Sequence, residues 1–256
     1  MIILIWIPMA RRKSLAFLDV GQGDCFVADT KSGAIIFDGG SSSEDQVGRY
    51  RILPYMKYLG YQKIQIAVIS HMDIDHYSGI KELLEMGKIK YLGLPEIPKD
   101  ETMKKIIGIA KKRGTTIFYL SRGRQITTKD GSLKVLHPQK NSQMEKNAAS
   151  LVMQGKILGY RVLLTGDVEK EGEEELLSEE LERADILKAA HHGSKNSTSN
   201  EFLQKVQPKQ TVISCGKQNR YGHPHLETIH RLQTYRTKIY RTDRSGAIIF
   251  FKRRDG

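Results

Sequence analysis

The sequence predicts an α/β protein built as a four-layer α/β/β/α sandwich. Three observations carry that expectation. Short apolar runs alternate with turn residues along the chain. These strand-like runs fall into two clusters, one ending near residue 120 and one opening at residue 133. Helix-like segments are interspersed in both clusters, which fits two sheets packed face to face with helices outside.

In chain order, residues 15–20 read as a strand and 19–24 as a tight loop. Residues 25–28 and 34–37 form a hairpin around 31–33. Asp38-Gly39-Gly40 then allows a sharp bend, and 47–59 reads as a helix that Gly60 can cap. The apolar run 64–69 is a buried strand, followed by a loop and a helix entered around Ile80. A short strand (91–94), a helix (99–114) and a strand (115–120) complete the first cluster. The second holds strands at 133–136, 149–153, 160–164, 184–188, 211–214, 238–240 and 247–251, with helices at 169–183 and 224–235. No internal repeat or low-complexity linker is present.

At 256 residues, 39% hydrophobic and 27% charged, the chain has the composition of an ordinary globular protein. The reading divides it into an apolar and basic N-terminal stub, residues 1–13, and one domain, residues 14–256. Met1 to Ala10 is too short to span a bilayer as a helix, and its charges follow the apolar run rather than precede it as in a signal peptide. It reads as a first strand or, preferably, as the stub of a membrane helix. From Lys188 onward there are 14 Lys and Arg against 4 Asp and Glu, a balance of +10 out of a total of +12. A surface so charged suits polyanions, nucleic acid first among them. Cys25 and Cys215 form no Cys-x-x-Cys pair, which argues against a thiolate metal site and for two buried thiols.

The chemistry concentrates in Ser70-His71-Met72-Asp73-Ile74-Asp75-His76, four metal-ligand types in six residues, delivered by a buried strand. Imidazoles with carboxylates suit zinc or manganese. Asp167 follows a glycine at the end of another strand, where it can bridge two metals or cap the next helix. His191-His192-Gly193-Ser194 ends a third strand with tandem histidines. One of the pair ligates and the other binds substrate or supports its neighbour. The expectation places His191 among the metal ligands with His71, Asp73, Asp75, His76 and Asp167. Asp75, His76, Asp167 and His192 are the expected catalytic set. Two divalent ions there, Mn²⁺ or Zn²⁺, would lower the pKa of bound water enough for hydrolysis near neutral pH.

Eight stretches in this order resemble the metallo-β-lactamase superfamily, and more closely the C-terminal metallo-β-lactamase-like domain of the DNA-uptake channel ComEC. They are 17–24, 37–40, 70–76, 147–152, 163–167, 185–194, 219–225 and 240–243. The resemblance implies the α/β/β/α fold, metals at His71, Asp73, Asp75, His76, Asp167 and one histidine of the 191–192 pair, and a nuclease that degrades the strand not taken up. It also implies a membrane-associated or extracytoplasmic place, with a cytoplasmic one the alternative for a chain without a full membrane span or signal peptide, and a membrane channel supplied by another chain as a partner. Asp73 stands where the superfamily has a second histidine, a harder ligand that favours manganese. Asn147 and Ser150, with His137 upstream, occupy the stretch that usually supplies a further histidine.

Lys217, Arg220, Tyr221, His223 and His225 lie in a Gly- and Pro-punctuated loop suited to phosphates and a base. With Ser194 and Asn147 they are the expected substrate-binding residues. Asp19, Asp24 and Asp38 sit at strand ends and read as residues bracing the ligands. The leading expectation is therefore a metal-dependent phosphodiesterase acting on DNA. A hydrolase of small, lipid-linked or wall-linked phosphodiesters and a non-catalytic DNA-binding module are the competing ones.

Overall fold

In the computed structural model, which describes residues 12–144, 146–178 and 181–253, two seven-stranded sheets face each other. The first has the order β14 (Ile248–Phe251), β1 (Ser14–Phe17), β2 (Phe26–Thr30), β3 (Gly33–Phe37), β4 (Ile64–Val68), β5 (Ile89–Pro95), β6 (Thr116–Leu120). The second runs β13 (Lys238–Arg241), β12 (Gln210–Ile213), β11 (Ile186–Lys188), β10 (Tyr160–Leu164), β9 (Val152–Ile157), β8 (Gly131–His137), β7 (Gln125–Thr128). Each sheet is part antiparallel and part parallel: β3 to β6 run parallel in one, β10 to β13 in the other.

The period-2 alternation of side chains builds three apolar layers from these strands. Leu15, Phe17, Ala28 and Ile35 point between the sheets and meet Val135, Met153, Val162 and Leu164 of the second sheet. Ala16, Val27, Ile36 and Ala67 point outward against α1 (Leu53–Tyr58), α2 (Ile74–Glu85) and α3 (Glu101–Lys112). On the far side Leu163, Leu187 and Ile213 pack against α4 (Lys170–Leu177), α5 (Asn200–Val206) and α6 (Leu226–Thr234). Burial on both faces explains why the strands read as unbroken apolar runs. The short α7 (Thr242–Ser245) carries the chain from β13 to β14, so that the last strand closes the first sheet.

Several boundaries differ from the sequence expectation. The residues at 149–153 are strand only from Val152, because Lys146–Ala149 coil into one 3₁₀ turn. The acidic helix is shorter than 169–183 and ends at Leu177. The helix expected from residue 224 starts at Leu226, with His225 as its N-cap. β7 and α5 were not expected at all; both are short, and α5 carries its apolar residues Phe202, Leu203 and Val206 among polar ones. Cys25 and Cys215 are free, buried thiols. No helix among the described residues is long and apolar enough to cross a membrane, and most of the 1–13 stub, residues 1–11, lies outside the described residues.

Candidate metal centre

The carboxyl ends of parallel strands β3, β4, β10, β11 and β12 converge at one edge of the sandwich, the usual place for a site in an α/β sheet. After β3 the backbone of Asp38 turns into the left-handed region (φ 58°), which Asp tolerates. Its carboxylate accepts the Ser70 backbone N–H at 2.7 Å and meets His76 Nδ1 at 3.0 Å. That contact fixes the ring and turns His76 Nε2 toward Asp167 Oδ2, 3.2 Å away. The His71 ring lies 4.1 Å from the His76 ring, and its Nε2 is 3.7 Å from Asp73 Oδ2.

From the second sheet, Gly166 turns the chain after β10 and presents Asp167. Its Oδ2 faces both His76 Nε2 and His192 Nε2, the latter at 3.3 Å, while Oδ1 lies 3.4 Å from the Lys188 ammonium. After β11, His191 and His192 both adopt left-handed backbone (φ 48° and 53°) ahead of Gly193 (φ 84°). This tight, strained turn sends the two rings in different directions. His192 is buried; its Nδ1 donates to the Ser214 carbonyl at 2.9 Å, which leaves Nε2 free to face Asp75 Oδ2 at 3.3 Å. His191 stands to the side, with Nδ1 2.8 Å from Glu169 Oε1 and Nε2 3.9 Å from Asp167 Oδ2.

Asp75, His76, Asp167 and His192 thus bring one ligand atom each within 4.8 Å of one another, and His191 lies outside that set. The Nε2 atoms of His71, His76 and His192 are buried, and none makes a hydrogen bond. Each nevertheless faces a carboxylate oxygen, His76 Nε2 at 3.2 Å, His192 Nε2 at 3.3 Å and His71 Nε2 at 3.7 Å. Three of them, gathered with carboxylates, fit a divalent-cation site.

The electrostatics agree with that fit. Burial pulls the His76 and His192 imidazoles down. The carboxylates around them outweigh it, Asp167 and Asp38 for His76 and Asp167 and Asp24 for His192, and hold both well above the ordinary imidazole value. Burial pushes Asp167 up, but His192, His76 and Lys188 together keep it well below the ordinary carboxylate range. Asp75 is held at about 2, its burial overcome by His192 and His76. Without metal, protons on the imidazoles supply the positive charge these carboxylates demand.

The other expected residues fall around this centre. Buried Asp24 accepts charge from Lys188 and lies 3.5 Å from His192 Nδ1 and 3.7 Å from His76 Nδ1. Asp19 only braces its own loop, accepting the Gly21 N–H at 3.1 Å. Ser194 sits inside the His loop, its carbonyl accepting Thr228 Oγ1 at 2.8 Å. His225 Nδ1 accepts the Lys195 N–H at 3.2 Å. His223 lies 5.4 Å from the His191 ring and 6.1 Å from the His192 ring, and Tyr221 stacks on it at 5.7 Å. Burial and the neighbouring His192, His191 and His225 push His223 down to about 4, so its ring is neutral at physiological pH. Lys217 and Arg220 are exposed. Asn147 Oδ1 is buried without a partner, and Ser150 Oγ accepts the Asp167 N–H at 3.3 Å. His137 is engaged elsewhere, with the Ala148 carbonyl at 2.7 Å and Glu175 at 3.3 Å.

Three contributors were not read from the sequence: Lys188, Glu169 against His191, and the Ser214 carbonyl behind His192. Lys188 carried a signal, since a lysine inside the apolar strand Ile186–Lys188 must find a partner. The basic tail is also less free than its count suggests. Lys188 is buried, Arg231 is bonded to Ser197 and Thr198 carbonyls, and Arg241 is paired with Asp243.

Comparison with known proteins bears on the whole chain. ComE operon protein 3 of Bacillus subtilis (strain 168) is 35% identical over 275 aligned positions, covering 100% of this chain and 35% of that protein. Competence protein ComA of Neisseria gonorrhoeae is 30% identical over 248 positions, covering 93% and 32%. The chain therefore spans about a third of the length of the curated relatives it matches. The crystal structure of the metallo-β-lactamase fold protein YhfI from Bacillus subtilis shares the fold, with a TM-score of 0.63 at 13% identity over 92% of this chain and 99% of that one. The model of the metallo-β-lactamase superfamily, a superfamily of metal-dependent hydrolases that typically hold two metal ions, matches residues 18–217. With that match, that fold and a His/Asp cluster at its strand ends, the chain belongs to the metallo-β-lactamase superfamily.

Proposed function

We propose that this protein is a metal-dependent phosphodiesterase acting on DNA, in the service of DNA uptake. The observation that carries the reading is the convergence of three buried imidazole nitrogens with Asp75 and Asp167. The likeness to competence proteins supports DNA as the polymer.

His71, Asp73, Asp75, His76, Asp167 and His192 would hold two divalent ions, and His191 would stand beside them. Bound metal would supply Lewis acidity and a water of lowered pKa. The protein's own groups do the rest. Asp38 and the Ser214 carbonyl set which nitrogen of His76 and His192 faces the centre. Lys188 balances Asp24 and Asp167. Arg220 and Lys217 attract the phosphodiester backbone by charge.

The test is cleavage of labelled DNA with manganese or zinc, wild type beside Asp75→Ala and His192→Ala. Metal-dependent cleavage lost in both variants is the expected result. Cleavage that persists in Asp75→Ala would overturn the assignment of the site, and no cleavage by wild type with either metal would overturn the nuclease reading.

A further inference from the structure

We infer that a pocket between the two sheets, beside the metal centre, is a binding site for one internal water molecule that bridges Ser214 Oγ and Asp24 Oδ1. The site is separate from the ligand set and does not depend on the nuclease reading. Phe17, Phe26 and Phe37 of the first sheet form its apolar floor, and Asp24, Cys25 and Ser214 bring polar atoms to it. Every residue around it is buried. The space open to a water centre is about 10 Å³, which is room for one molecule.

Two buried polar atoms point to the occupant. Ser214 is 1% exposed, and its hydroxyl has no hydrogen-bond partner among the described residues. Asp24 is 4% exposed; its Oδ2 touches the Lys188 ammonium, whereas Oδ1 accepts no hydrogen bond. His192 Nδ1 lies 3.5 Å from that Oδ1, but its N–H is committed to the Ser214 carbonyl at 2.9 Å. Nor does Lys188 have a hydrogen to spare. Its ammonium meets Asp24 Oδ2, Asp167 Oδ1 and the Gly166 carbonyl, one partner for each of its three donors.

His192 also fixes the two groups relative to each other. Ser214, just after β12, and Asp24, just before β2, flank the same ring nitrogen from opposite sheets. They line one pocket, yet the hydroxyl does not reach the carboxylate. A buried carboxylate oxygen without a donor is costly, and so is a buried hydroxyl without a partner. One water answers both: it accepts the Ser214 O–H and donates to Asp24 Oδ1. Its second hydrogen is left for the Cys25 sulfur, a weak acceptor on the same wall. The Lys188 ammonium excludes a cation from this space, Asp24 excludes an anion, and the volume excludes anything larger.

The test joins crystallography of the full chain to magnetic relaxation dispersion of water in solution. Electron density should show one water about 3 Å from both Ser214 Oγ and Asp24 Oδ1. Relaxation dispersion should count one long-lived internal water fewer in Ser214→Val, whose methyl groups fill the space and remove the hydroxyl. A dry pocket in the wild-type crystal, or a Ser214 hydroxyl bonded straight to Asp24, overturns the site. So does an unchanged water count in a folded Ser214→Val. If that variant does not fold, the wild-type density decides alone. Neither readout involves cleavage, so failure of the nuclease reading leaves this inference standing.

Discussion

Lys188 stands between Asp24 and Asp167 and ties the two sheets together at the metal centre. Its ammonium is in contact with Asp24 from the first sheet, lies 3.4 Å from Asp167 Oδ1, and donates to the Gly166 carbonyl at 2.8 Å. All three side chains are at most 6% exposed. Burial alone would strip the lysine's proton, but Asp24 and Asp167 outweigh it and raise the group above the ordinary lysine value.

Lys188→Met therefore leaves two buried carboxylates without their cation. The metal-free variant should lose about 3–5 kcal/mol of stability, the usual cost of breaking a buried pair from one side. Saturating manganese or zinc should restore a large part of it, because bound cations can balance the same carboxylates. Chemical denaturation with and without metal checks this. Equal losses in both conditions would show that Lys188 serves only packing.

Asp38 would act on a bound metal through His76, whose Nδ1 it meets at 3.0 Å. Asp38→Asn keeps the shape and the bond to the Ser70 N–H but no longer favours a proton on His76 Nδ1. Metal affinity should fall roughly 10- to 100-fold. Titration of the protein with manganese or zinc reads this directly, and an unchanged dissociation constant would remove Asp38 from the centre.

Gly40 must stay a glycine. A Cβ there would come within 2.5 Å of the Ile74 carbonyl oxygen and 2.6 Å of the His76 nitrogen, backbone atoms that carry the metal loop. Gly40→Ala should cost at least about 1–3 kcal/mol and weaken metal binding together with it, since the loop must move to admit the methyl group. Thermal unfolding and metal titration on the same sample measure both. A variant as stable as wild type would mean that the loop shifts without strain.

The pH dependence has opposite signs with and without metal. His76 and His192 are raised in the folded, metal-free protein, so their contribution to stability is complete below about pH 6.5 and disappears as pH rises through the raised values. Asp75 and Asp167 are depressed, so theirs is present above about pH 4 and is lost as pH falls through the lowered values. Metal requires both imidazoles neutral, so binding at neutral pH should release about two protons and tighten as pH rises. Calorimetric titrations in two buffers of different ionisation heat count those protons. Heats independent of the buffer would contradict the raised imidazoles.

Much of this protein was legible in its sequence. The strand clusters gave the four-layer sandwich because residues such as Leu15 and Ala16 are apolar on both sides of their strand, and only burial on both faces demands that. His71, Asp73, Asp75 and His76 are close in sequence, so strand and helix geometry alone places them together at the junction of β4 and α2. Local pattern could not decide between His191 and His192. That choice depends on successive left-handed residues and on the Ser214 carbonyl from another strand. Nor could it join Asp24 to Lys188, since these partners are far apart in the chain. Residue types and short spacings are set by the sequence itself; which distant groups share a charge, a hydrogen bond or a ring face is settled only when the two sheets close on one another.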